Sequence, residues 1–449
     1  MILSPSTCDA AIVGGGPAGM VLALLFARQG LSVTVLEAAH DFDRSFRGDT
    51  LHPATLELME QLGLADELLT LGHTRAHAAR YIGRDRTVLL ADFARLRRRY
   101  PYLAVMSQTR FLNFLHRQLL RYPRASVIFG ARVQELCGAG DVSGNSPEAA
   151  GPARTPERRP ERVIGVRYRQ GDADHQLLAE LTVGADGRHS RVRRLSGLKL
   201  KVLTPGQDVL WFSLPRRVSD PHGSIDLHVG GGHCLVTTDH GERWQVGFSL
   251  SKGSYAEARA RGVDEVRRAT GQILPWLQDR LGLLTDWSQL RLLSVEVSRL
   301  KRWYRPGLLM IGDAAHVISP IGGLGINMAV QDAVAAANLL TRPLQQGRLR
   351  TRDLAAVQRR RGWQIALLQA QQVVEERQVA DVIGEPEAIH VPMLLLRLLN
   401  RVPLLRHIPA YVTAYGLWPE RLNRRWKADR VLADPALVNP VLADWMPAD

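Results

Sequence analysis

Three clusters of residues in this chain could do chemistry. The first is Gly14-Gly-Gly-Pro-Ala-Gly19, which follows the apolar run Asp9 to Val13 and precedes the apolar helical stretch Met20 to Gln29, closed by Gly30. In a strand, turn and helix of this kind Gly14 permits the tight turn, Gly16 lets the backbone approach a pyrophosphate, and Gly19 allows close packing of helix on strand. Pro17 suits the first helical turn, where a missing N–H costs nothing, with Ala18 beside it. The phosphates would lie at the positive end of the helix dipole. Ser32 to Glu37 reads as a second strand ending in a carboxylate, and Glu37 stands eighteen positions beyond Gly19, near the usual spacing for an acid on ribose hydroxyls. A carboxylate there repels a 2′-phosphate, so the bound dinucleotide is expected to be FAD or NAD rather than NADP.

The second cluster, Asp313-Ala-Ala-His316, follows the buried-type strand Leu308 to Gly312. It leads through Pro320, Gly322, Gly323 and Gly325 into an alanine-rich helix from about Ile326 to Leu340. The third is Asp186-Gly-Arg-His-Ser190-Arg-Val-Arg193, placed after the strand-like Leu181 to Gly184. Asp186 and Ser190 could equally make a turn through their own side chains. Gly138 to Gly144 also has closely spaced glycines, but no periodic helix follows, and it reads as a mobile surface loop.

These three motifs together resemble the group A flavoprotein monooxygenases, the para-hydroxybenzoate hydroxylase-like aromatic hydroxylases. The resemblance spans about residues 9 to 340. It implies bound FAD as cofactor, NAD(P)H as cosubstrate, and hydroxylation by O₂ through a flavin C4a-hydroperoxide. It also implies that Asp313 meets the ribityl hydroxyls and that Pro320, Gly323, Gly325, Ile326 and Asn327 line the flavin ring. The helix amino terminus there would favour negative charge on reduced flavin. By the same resemblance Arg47 approaches the FAD phosphates or flavin edge, Gln108 contacts the cofactor, and Val133 meets the adenine through its backbone. Asp186 is associated with both FAD and the nicotinamide cofactor, with Arg188, Arg191 and Arg193 nearby. The chain departs from many relatives around the flavin: Ile318-Ser-Pro320 stands where they carry a Pro-Pro or Phe-Pro pair, and Gly323-Leu-Gly325 where they carry Gly-Gln-Gly.

The elements that must position these residues give an α/β fold. A Rossmann-type FAD-binding domain is expected from 1–72, 107–196 and 297–345, and a mostly antiparallel β-sheet substrate domain from 73–106 and 197–296. A helical carboxy-terminal region, 346–449, completes the chain. Short alternating runs such as Asp208 to Leu214 and Arg243 to Leu250, with a helix near Val263 to Leu281, suggest a sheet roofing the flavin. Tyr81, Met106, Trp211 and Phe248 are apolar candidates for the substrate wall, and a bulky, largely apolar aromatic or polyketide-like molecule is the expected substrate. The cofactor would carry the reaction, so no acid or base is named, and His52 and His316 read as structural hydrogen-bonders.

At 449 residues, 45% hydrophobic and 23% charged, the composition is that of a globular protein, which excludes disorder and fibre. There are 58 Lys and Arg against 44 Asp and Glu, but the only lysines are Lys199, Lys201, Lys252, Lys301 and Lys427. An arginine excess without a recognised motif or aromatic-basic repeat does not point to nucleic acid. Cys8, Cys137 and Cys234 are odd in number and scattered, so neither a disulfide framework nor a metal site is expected. With no secretory signal and no spanning run of about 20 apolar residues, a cytoplasmic protein is expected. The apolar-basic stretch 391–416 would pack on the FAD domain or make peripheral contact with anionic lipid. Oligomeric state is left open. A flavin halogenase would carry W-x-W-x-I-P and an early lysine, both missing here. An FAD-dependent reductase of an isoprenoid-type substrate and a non-catalytic flavin redox sensor are the alternatives.

Overall fold

The computed structural model describes residues 5–43, 49–84, 87–139, 161–204, 207–294, 296–384 and 407–423. Ten helices are used below: α1 (Pro17–Arg28), α2 (Pro53–Gln61), α3 (Ala65–Thr70), α4 (Gln108–Leu119), α5 (Arg191–Ser196), α6 (Tyr255–Arg261), α7 (Val263–Ile273), α8 (Gly325–Gln345), α9 (Thr351–Gly384) and α10 (His407–Tyr415).

Five parallel strands form the centre of the first layer, in the order Leu308–Met310, Ala173–Gly184, Ser6–Val13, Val33–Glu37, Ala125–Phe129. Tyr304–Arg305 adds an antiparallel edge, and Val163–Gln170 and Arg132–Gly138 extend antiparallel from Ala173–Gly184. Strands buried on both faces need apolar side chains on both, which is why Ala10 to Val13 form a continuous buried run. Helix α1 is buried from Ala18 to Arg28, as a helix apolar on all sides must be. It packs between α4 and α8 over this sheet.

The second layer is a seven-stranded sheet in the order Arg291–Ser294, Asp208–Pro215, Arg243–Leu250, His233–Asp239, Ser224–Gly230, Ala78–Ile82, Thr87–Asp92. Its pairs are antiparallel except Ser224–Gly230 with Ala78–Ile82. One face carries Leu210, Phe212, Leu214, Leu235, Trp244, Val246, Phe248 and Leu250, packed with Ala258, Val266, Ala269 and Leu277 of the helical cover. A second small sheet, Leu200–Thr204 with Val297–Leu300 and His316–Val317, ties the layers together.

One expectation about helices needs correction. The run from Val263 is broken: α7 ends at Ile273, Leu274 leaves the helical region at φ −121° and ψ 70°, and Pro275–Leu283 continues as tighter 3₁₀ turns. Proline disfavours the helical conformation of the residue before it, which fixes the break at Leu274. In the expected helical carboxy-terminal region, α9 alone runs for 34 residues. Among the described residues no helix is long and apolar enough to cross a membrane.

Candidate active site

The glycine turn sits where the first strand hands over to α1. Gly14 has φ 107°, and a Cβ there would lie 2.4 Å from the Ala185 carbonyl oxygen; at Gly19 it would lie 2.0 Å from the Gly14 oxygen. Both glycines are therefore demanded by the backbone itself. Gly16 differs: the nearest atom to an added Cβ is the Ala185 oxygen at 4.0 Å. Gly16 caps α1 with no side-chain hydrogen bond and Pro17 opens the helix, so free N–H groups face open space. Glu37 closes the pocket, accepting from Gly15 N–H at 2.8 Å and Ala39 N–H at 2.9 Å. A cradle that is open at Gly16, uncapped and edged by a carboxylate fits the pyrophosphate and ribose of a dinucleotide.

The Asp313 turn is brought against this helix. A Cβ on Gly312, φ 57°, would lie 3.2 Å from the Cβ of Ala18, so both small residues are needed for the approach. Among the described residues the half-buried Asp313 carboxylate has no hydrogen-bond partner, leaving it available to hydroxyls. Beneath the turn, buried Asp332 accepts from Gly312 N–H at 3.0 Å, His316 Nε2 at 2.6 Å and Arg361 Nε at 2.9 Å. Burial works to raise its pKa, but His316 and Arg361 hold the carboxyl below its ordinary range.

Pro320 leads a short turn, Ile321–Gly323, and α8 begins at Gly325 without a side-chain cap. Nothing lies within 4 Å of a Cβ added at Gly325. Ile326 and Asn327 are buried in its first turn, and Asn327 takes a 3.2 Å hydrogen bond from Thr55 Oγ1 while its Nδ2 is buried without a partner. An orphaned donor at an uncapped, open helix start fits the carbonyl-rich edge of a flavin. The Gly323 carbonyl accepts from Thr50 Oγ1 at 3.3 Å, and the His52 ring lies between two carbonyls, with Nε2 3.0 Å from that of Gly323 and Nδ1 2.7 Å from that of Thr413 in α10. His52 is thus a structural tie.

Asp186 turns its carboxylate into the start of α5, accepting from Ser190 Oγ, Arg191 N–H at 2.7 Å and Val192 N–H at 3.0 Å. Its backbone meets the Gly14 turn, where a Cβ on Gly14 would lie 2.7 Å from the Asp186 Cα. The nearby arginines staple backbone: Arg191 donates to the Val133 carbonyl, Arg193 to the Asp313 and Ala314 carbonyls, and Arg188 to that of Ser294. Gln108 opens α4 half-buried, and its N–H serves the Asp49 carboxylate. Arg47 lies outside the described residues.

The four wall candidates separate. Trp211, Gly247, Val236, Leu227 and Tyr81 are successive partners across five strands, and so form one row on one face. Trp211 lies over Gly247, whose added Cβ would come within 2.8 Å of the indole. Phe248 is on the opposite face, in the core with α6 and α7, because neighbouring residues of a strand alternate in direction. Met106 also leaves the wall: Tyr102, Ala104 and Met106 alternate into the core of the first layer. The Trp211 face looks toward α9, which packs on the strand His233–Asp239 while α6 and α7 cover the opposite face.

Sequence reasoning missed two buried acids and their partners at this junction. Asp49 and His240 lie 3.3 Å apart; burial raises the carboxyl to about 7 and lowers the imidazole to about 4. The hydroxyl of Ser319, immediately before Pro320, donates to Glu376 of α9. No local motif marks either pair.

The family model described as FAD binding domain matches residues 7–369. The 6-methylpretetramide 4-monooxygenase of Streptomyces rimosus is 32% identical over 410 residues, 91% of this chain and 92% of that protein. The chain belongs to the group A FAD-dependent monooxygenases. Solved structures agree on the fold: pqsL, a probable FAD-dependent monooxygenase from Pseudomonas aeruginosa, superposes with a TM-score of 0.68 at 22% identity, covering 86% of this chain and 98% of that one. OxyS anhydrotetracycline hydroxylase from Streptomyces rimosus gives 0.67 at 21%, covering 91% and 76%. This monooxygenase is an FAD-dependent oxidoreductase with NAD(P)H as cosubstrate, and neither the isoprenoid reductase nor the redox sensor is favoured.

Proposed function

We propose that this monooxygenase places one oxygen atom of O₂ on a bulky, largely apolar polycyclic phenol of polyketide type. The observation that carries the reading is the row Trp211, Gly247, Val236, Leu227 and Tyr81, an apolar and aromatic strip on the sheet face opposite α6 and α7. Ring stacking and apolar burial on such a strip suit a flat, extended substrate. The names of two similar proteins, for 6-methylpretetramide and anhydrotetracycline, point the same way.

Bound FAD supplies electron transfer and oxygen activation; the chain binds, orients and dries. Gly14, Gly16, Pro17, Ala18 and Gly19 would hold the pyrophosphate, Glu37 the ribose and Asp313 the ribityl chain. Gly323, Gly325, Ile326 and Asn327 would hold the ring, and the amino terminus of α8 favours negative charge there. Arg47, Gln108 and Val133 are kept as cofactor contacts, Asp186 as a backbone contact through the Gly14 turn, and Tyr81 and Trp211 as substrate contacts.

The test is NAD(P)H oxidation by the FAD-loaded protein with a panel of phenols and polycyclic aromatics, following oxygen uptake and product mass together. Gain of one oxygen atom, coupled to consumption of both, is expected. NAD(P)H consumption with no oxygen in any product would overturn the reading.

For residues 391–416 we favour docking on the FAD domain, in a cytoplasmic protein. Residues 391–406 lie outside the described residues, but Tyr415 of α10 donates to Glu57 of α2 and its carbonyl accepts from Gln331 of α8, while Ala410 and Ala414 also pack on Phe93 and Leu96 of the 73–106 segment. Flotation of the full chain with anionic liposomes would contradict this.

A further inference from the structure

Helix α9 presents three polar residues to the loop before Pro320. Gln369 Nε2 donates to the Ser298 and Val317 carbonyls at 2.9 and 2.8 Å. Gln372 accepts from Ser319 N–H at 3.0 Å and donates to the Ser319 carbonyl at 3.3 Å. These two amides satisfy backbone groups. Glu376 is a carboxylate instead, 5% exposed, held by the hydroxyl of a wholly buried Ser319. Burying an acid is costly, and the cost is tolerated where the group has a task.

Two separate segments meet α9 at this residue. The loop on one side runs from Ser319 into the flavin turn. On the other, Gln207 donates to the Glu376 backbone carbonyl at 3.3 Å, and Cys234 on the Trp211 face feels its charge. Burial raises the Glu376 carboxyl, while the Ser319 hydroxyl and Lys252 draw it down. Lys252 is itself engaged by Asp208 at 3.2 Å and Ser294 at 2.7 Å, and Glu375 is the adjacent acid on α9. The departure at Ser319 gains a meaning. A proline there has neither the N–H that Gln372 accepts nor the hydroxyl that Glu376 accepts.

We propose that Glu376 takes the proton from the ring hydroxyl of the substrate, with Ser319 as its positioning residue. The inference rests on the reading that the substrate is a phenol. The O–H bond of the substrate breaks, the proton joins the carboxylate to give the carboxylic acid, and the electron pair stays on the ring oxygen. The resulting phenolate donates density to the ring carbons where oxygen is placed, and no oxidant or reductant is consumed in the step. Glu376 returns its proton to water once product leaves.

The probe is 1,8-dihydroxyanthraquinone bound to the FAD-loaded full chain, its ionisation read from difference absorbance against pH. In the wild type the bound probe should ionise at lower pH than the free compound. Glu376→Gln should bind it with a Kd within about threefold, leave it neutral to the pH of the free compound, and lose about 10²-fold or more in kcat. Glu376→Asp should restore part of the ionisation. Ser319→Ala removes a hydrogen bond that favours the charged carboxylate, so the acid limb of its kcat profile should move to higher pH. Ionisation and kcat unchanged in Glu376→Gln would reduce Glu376 to a tie for the loop and overturn the proposal. A wild type that binds and oxygenates no polycyclic phenol would sink the substrate reading, and this step with it.

Discussion

Gly16 and Gly19 sit three residues apart and do different work. A methyl at Gly19 collides with the Gly14 oxygen at 2.0 Å, whereas one at Gly16 enters space with nothing closer than 4.0 Å. Gly19→Ala should lower the melting temperature of the FAD-free protein, while Gly16→Ala should melt as the wild type does yet hold at least ~10-fold less flavin, a loss of about 1.4 kcal/mol. The flavin-to-protein absorbance ratio and a thermal melt separate the two. Asp49 makes a pH prediction. Its folded carboxyl lies at about 7 against an ordinary 3.8, so the folded state keeps a proton that the unfolded chain releases. Stability from this group is present below the lower value and lost as pH rises to the higher. Asp49→Asn should therefore gain on the wild type in melting temperature between pH 5 and about 8; a constant gap would contradict the burial of Asp49. At this scale the glycine turn and Glu37 were readable, because their reasons lie within about one strand, turn and helix. Glu376 was not, since its partner Ser319 is 57 residues away in the chain.

Alternation in strands decides which side chains reach the cleft. The runs around Trp211 and Phe248 are equally apolar, and only the register, Trp211 against Gly247 and Leu210 against Phe248, puts them on opposite faces. Composition could indicate a sheet but not its inward face, because helices α6 and α7 make the outer face apolar as well. The break at Leu274 was legible in principle from Pro275. Helices α8 and α9 are joined by a buried charge: Arg361 and Asp332 are both fully enclosed, with His316 on the same carboxylate. Asp332→Asn leaves the Arg361 cation without its counter-ion and should cost about 3–5 kcal/mol in urea denaturation. Because the folded Asp332 carboxyl lies below its ordinary range, its stabilisation is present above the unfolded pKa and lost as pH falls. The deficit of the variant should shrink in acid.

The first layer draws on strands from Ser6 to Met310, and the seven-stranded sheet on 78–92 and 208–294, so neither can form before most of the chain is available. The three motifs made that architecture legible; the place of α10 was not, since its apolar and basic pattern suits a protein surface as well as a lipid one. Its dock is specific: Tyr415 donates to Glu57 at 2.8 Å, Gln331 to the Tyr415 carbonyl at 3.0 Å, and Arg360 to Glu420 at 2.9 Å. A chain ending after Gly384 should melt lower than the full chain and bind more of a hydrophobic dye, through exposed Phe93 and Leu96. Unchanged melting and dye binding would show that the dock contributes little.

His52 adds a constraint of a different kind. Burial lowers its pKa to about 4, so near neutrality the ring carries one hydrogen, yet it faces two carbonyl oxygens, of Thr413 and Gly323. With that hydrogen on Nδ1 the carboxy-terminal helix is bonded and Gly323 meets a lone pair; with it on Nε2 the arrangement is reversed. The two tautomers are thus alternative wirings of the same fold, and nitrogen-15 shifts of this one imidazole would report which end of the chain the flavin loop is answering to.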